Sequence, residues 1–86
     1  MLNKVKLDLR ITHGKMDADI QNNIEACKLD LKRVGINAID DTDPLIIKVV
    51  KLYVRSQYNF ENEGDRYCKA YESMRDGLSL SGDYNV

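Results

Sequence analysis

Few side chains in this sequence could do chemistry, and their spacing argues against most of it. His13 is the sole histidine and sits beside Gly14 at an expected helix boundary, where a turn or capping role suits it. Cys27 and Cys68 are the two cysteines, and one His with two distant Cys matches no recognised metal-ligand spacing. No disulfide framework surrounds them either, so both are expected as reduced, half-buried thiols packing like small hydrophobes. A hydrolase needs a nucleophile with a base to activate it, and beyond lone His13 no candidate pair exists. Neither G-x-x-x-x-G-K-[ST] nor G-x-G-x-x-G occurs, so no phosphate cradle is expected. Asp40, Asp41 and Asp43 could suggest a cation loop, but they lack the glycine and distal glutamate of an EF-hand, and capping explains Asp43. The five tyrosines fall mostly at helical stripe positions, which favours core packing over a base-stacking platform. The sequence therefore predicts no catalytic residue, no cofactor and no metal, and hence not an enzyme. Lys48, Lys51 and Arg55 remain, as a solvated strip or as a face for an acidic neighbour or passing DNA.

Helical periodicity positions these residues. No stretch alternates with period two, whereas helical spacing appears four times. Leu2, Val5 and Leu9 mark a short first helix ending near Ile11 or Thr12, before His13-Gly14. The second runs from about Asp17 to Val34, with an acidic start, a basic end before Gly35, and a stripe of Ile20, Ile24, Cys27, Leu31 and Val34. That stripe is too short for a coiled coil and reads as a core face. Gly35 to Thr42 is a loop. Asp43 is then the N-cap of a third helix with Pro44 at its first position, where the missing N–H costs nothing. Around that helix Ile46, Ile47, Val49, Val50, Tyr53 and Val54 cover more than half the circumference, leaving Lys48, Lys51 and Arg55 on one narrow strip. So wide an apolar arc predicts a central helix. NFENEGD is a turn or weak join, and a fourth helix spans about Asp65 to Leu80, with Tyr67, Tyr71, Met74 and Leu78 inward and Lys69–Glu72 paired outside. SGDYNV reads as a frayed tail. The expectation is an all-α fold, a small four-helix domain covering residues 1–86, with the third helix central.

Totals narrow the function. At 86 residues the core is thin, and such chains often gain stability by association. Charged residues make up 31% yet nearly cancel, at a net charge of −1, whereas a general nucleic-acid binder is normally strongly basic. MLNKVKLDLR lacks the apolar stretch of a signal peptide, and the apolar runs elsewhere are too short to span a membrane, so a soluble cytosolic protein is expected. A helix-turn-helix reader is disfavoured: the connection before the third helix is about twice too long, and Leu45, Ile46 and Ile47 at its start read no base edges.

The residues carry a resemblance. VKLDLRITHGKMDADIQNNIEACKLDL resembles the opening of phage and prophage head–tail connector proteins, through Leu9-Arg10-Ile11, Asp17 to Ile20 and Ile24 to Ala26. The entry at Asp41 to Ile46 and the corner Tyr58-Asn59-Phe60-Glu61-Asn62 are similar as well, and KAYESMRDGLSLSGDY resembles variants from Gram-positive phages. The match lies in the order and spacing of these pieces over nearly the whole chain. Many members place a tryptophan in the third helix's aromatic corner; this chain uses Tyr53, Tyr58 and Phe60. The resemblance implies a structural virion protein that forms a homo-oligomeric ring beneath the capsid portal. DNA would pass through the ring, and tail-completion or head-closure proteins would dock on its far side. It would assemble in the host cytoplasm and end at the head–tail junction. The rival expectation is a stand-alone helical regulatory or nucleic-acid-binding module.

Overall fold

A computed structural model describes residues 1–85; Val86, at the end of the expected frayed tail, lies outside the described residues. The fold is all-α: α1 (Leu2–Asp8), α2 (Asp17–Arg33), α3 (Pro44–Gln57) and α4 (Gly64–Ser79), with a 3-10 turn over Phe60–Asn62 between α3 and α4. No strand occurs among the described residues.

Local chemistry sets each helix end. The amide of Ile11 donates to the Lys6 carbonyl at 2.9 Å and that of Arg10 to the Leu7 carbonyl at 3.1 Å. This is a Schellman termination, with Arg10 in the left-handed position at φ 61°. The helix expected to reach Ile11 or Thr12 therefore stops at Asp8. α2 ends the same way, with Gly35 at φ 95° and Ile36 donating back to the Leu31 carbonyl at 2.9 Å. Here the glycine carries the turn without strain, and Ile36 drops into the core. At the start of α3 the Asp43 side chain accepts from the Leu45 amide at 2.8 Å, and Pro44 occupies the first turn. α4 begins at Gly64, one residue before the expected start, because the Asn59 side chain accepts from its amide at 2.9 Å.

The buried cluster draws on every helix: Val5 and Leu9 of and just after α1, Ile20, Ile24, Cys27 and Leu31 of α2, Val49, Val50 and Val54 of α3, Tyr71 and Leu78 of α4. α3 contacts α1, α2 and α4. Its Leu45 stays 45% exposed, and Leu52 and Tyr53 are half-buried. Burying one such Val or Ile contributes about 1.5–3 kcal/mol.

Three local expectations are corrected. The tail does not fray over its described part: the Tyr84 carbonyl accepts from the amides of Asn37 at 2.7 Å and Ala38 at 3.1 Å, and the Tyr84 hydroxyl donates to Asp43 at 2.8 Å. The segment thus straps the loop ahead of α3, satisfying amides that have no helix to pair with. The cysteines are not two half-buried thiols, since Cys27 is fully buried and Cys68 exposed. Glu72 accepts from the Cys68 thiol at 3.3 Å instead of pairing with Lys69. Met74, expected inward with Tyr67, Tyr71 and Leu78, is half-buried and packs against the buried cluster.

Candidate functional site

The strip expected on α3 is divided by the structure. Arg55 makes a two-pronged pair with Asp8 of α1, Nη2 to Oδ1 at 2.5 Å and Nε to Oδ2 at 2.6 Å. Its guanidinium also lies 5.5 Å from the Phe60 ring centre and 5.0 Å from that of Tyr67. The hydrogen bond to Asp8 raises the Arg55 pKa further, against the opposing effect of burial. This charge clamps α1, α3 and α4 together.

Lys48 and Lys51, two turns and one turn earlier, meet different company. With Lys4 of α1 they line a surface concavity of about 400 Å³, together with Thr42, Pro44 and Ile47. Lys4 and Lys48 are exposed and Lys51 is half-buried. None of the three has an ion-pair partner among the described residues. The other lysine of α1, Lys6, is taken by Asp17 at 2.7 Å. Sequence reading missed Lys4, because it joins the strip only through the packing of α1 on α3; its outward position in α1 was the sole available signal.

A second groove, of about 460 Å³, lies between α2, α3 and α4 and is lined in part by Asp30, Arg33, Tyr53, Cys68, Tyr71 and Arg75. Its floor is a closed polar network. Asp30 accepts from the Tyr71 hydroxyl at 2.6 Å, from Arg33 at 2.6 Å and from Arg75 at 3.1 Å. Burial pushes the Asp30 carboxyl up, but these three donors outweigh it and hold the group below the usual carboxylate range. Burial pushes the neighbouring Cys27 thiol up to about 12 and raises the Tyr71 phenol as well, Asp30 adding to the latter. A neutral thiol, a neutral phenol and a carboxylate already holding three donors are cross-links between helices rather than a nucleophile with its base.

The remaining candidates build loops. The Lys15 amide donates to His13 Nδ1 at 3.2 Å in the turn ahead of α2. Asp40 accepts from the Thr42 amide at 2.8 Å and its hydroxyl at 2.7 Å, Asp41 pairs with Lys28 at 2.8 Å, and Asp43 caps α3. Among the described residues no group of His, Cys, Asp or Glu is arranged to hold a metal ion. No helix among them is long and apolar enough to cross a membrane.

Comparison with known families gives one clear result: the model of the family described as "Phage connector protein" matches residues 1–85. No curated protein and no solved structure matches the chain.

Proposed function

The chain belongs to the phage connector protein family, a structural and non-enzymatic kind of protein, and from that premise we propose that it is the ring-forming adaptor between the capsid portal and the tail. The family match over nearly the full chain is the observation that carries this reading. In it, copies of the subunit assemble in the host cytoplasm as a closed ring on the portal. DNA passes through the opening, and a tail-completion or head-closure protein docks on the opposite side. The final location is the head–tail junction of the virion.

Two physical features support an assembling subunit. A thin core in a chain of 86 residues leaves little stability in reserve, and surface buried between copies adds to it. The face bearing Lys48 and Lys51 holds unneutralised cations at a concavity, a surface that favours an anionic neighbour. Arg55, on the same strip, keeps α1 and α4 in place behind that face.

Electron microscopy of the purified protein with the matching portal tests the reading. Rings stacked on the portal, with a central opening wide enough for duplex DNA, are expected. A protein that stays monomeric on and off the portal, yet binds duplex DNA with a steep salt dependence, would sink it.

A further inference from the structure

We propose that neighbouring copies join head to tail by charge, the lysine concavity of one copy receiving the acidic α3–α4 corner of the next. This rests on the ring reading above and deepens it by naming the contact. Lys4, Lys48 and Lys51 surround one concavity with no carboxylate paired to any of them among the described residues. Ammonium groups gathered this way repel one another, and an incoming anion relieves that repulsion.

The complementary surface lies beyond the other end of α3. Glu61, Glu63 and Asp65 fall within residues 61–65 and all three are exposed. Glu63 pairs with Arg66, and Glu61 accepts from the Tyr67 hydroxyl at 3.2 Å; Asp65 has no ion-pair partner among the described residues. Over residues 61–66 three carboxylates stand against the one guanidinium of Arg66, and the nearby Arg55 is already neutralised by Asp8, so this corner is negative. Within one subunit the two surfaces cannot neutralise each other. From Lys51 to the end of α3 the helix rises roughly 10 Å, already at the screening length of physiological salt. Two unlike patches that complement each other between copies make a heterologous contact, the kind that closes into a ring when the rotation allows. Duplex DNA is the competing occupant of the concavity.

Charge exchange tests the proposal on the full chain with the portal. One variant carries Lys48→Glu and Lys51→Glu, the other Glu61→Lys and Asp65→Lys. Each is checked for wild-type helical signal; if Glu61→Lys disturbs folding, Glu63→Lys replaces it. Each variant alone places like charges at every junction, so its association weakens at least about tenfold and rings are lost at moderate salt. A chain carrying all four substitutions restores opposite charges at every junction, whatever the number of subunits, and rings return. Wild-type rings together with rings from either two-site variant alone, or no rescue in the four-site chain, overturn this contact while leaving the ring reading intact. The contact is equally overturned if Lys48→Glu, Lys51→Glu abolishes duplex binding but leaves rings unchanged, which assigns the concavity to DNA. Absence of wild-type rings removes the ring reading and this contact together.

Discussion

Arg55 shows how one partner changes a residue's meaning. Helical spacing places it beside Lys48 and Lys51, yet its side chain, 28% exposed, closes on an Asp8 side chain that is 12% exposed. Removing it leaves a mostly buried carboxylate unpaired, so Arg55→Ala should cost about 2 kcal/mol, read as a lower urea midpoint at an unchanged slope. Lys48→Ala should change the stability read this way by no more than about 0.5 kcal/mol, because the side chain is exposed and makes no ion pair. A triple reversal that includes Arg55 would therefore confound folding with assembly. The thiols separate in the same way. Burial holds the Cys27 thiol neutral, with a pKa pushed up to about 12. Cys68 is accessible, although the Glu72 carboxylate, and to a lesser degree desolvation, raise its pKa. In native protein at pH 8 a thiol reagent should modify Cys68 alone, more slowly than a free thiol, and Cys27 should react once urea unfolds the chain.

Between the helices the chain carries strain that a small change can relieve or worsen. Arg10, at φ 61°, occupies the position where helices favour glycine, and its side chain is exposed. Arg10→Gly should stabilise the protein by about 0.5–1 kcal/mol, the left-handed penalty less the added freedom of the unfolded chain. A thermal midpoint that falls would show that the side chain makes a contact worth more than the strain. Gly64 is the opposite case. A Cβ there would stand 2.7 Å from the Asn59 side-chain oxygen that caps α4, and 3.2 Å and 3.3 Å from backbone atoms of Asn59 and Ser56. Gly64→Ala should cost about 1–3 kcal/mol despite alanine's better helix propensity, because the neighbouring backbone must move. Asn59 and Asn62 sit left-handed in the same corner, at φ 48° and 59°, where asparagine is tolerated better than most residues.

Across the whole molecule, the tail and the loop before α3 stabilise each other. Tyr84 supplies the acceptor for two loop amides and a donor to Asp43, the residue that also caps α3. A chain ending at Leu80 should lose about 1–2 kcal/mol, and hydrogen exchange at Asn37 and Ala38 should accelerate toward the rate of an open loop. Unchanged protection at those amides would mean that the loop holds its own shape. The loss should not spread to the Val49–Val54 part of α3, whose buried side chains pack against other helices.

What the sequence determined by itself is what particular side-chain types signal within a few turns. Four helices follow from apolar residues at three- and four-residue steps, and the start of α3 from Asp43 and Pro44, whose cap and missing N–H act within one turn. The order of its motifs also carried the family, because order and spacing are properties of the chain. Through-space partners decided the rest. Nothing near position 10 announces a left-handed arginine, since the capping amides and carbonyls belong to every residue alike. Asp8 and Arg55 meet only because α1 lies against α3, and the same contact brings Lys4 to Lys48 and Lys51. The tail becomes a strap because the amides of Asn37 and Ala38, in a distant loop, face the Tyr84 carbonyl. A charge or an amide is written in the sequence, but its partner is chosen by packing, and packing sums many weak apolar contacts that no local pattern records.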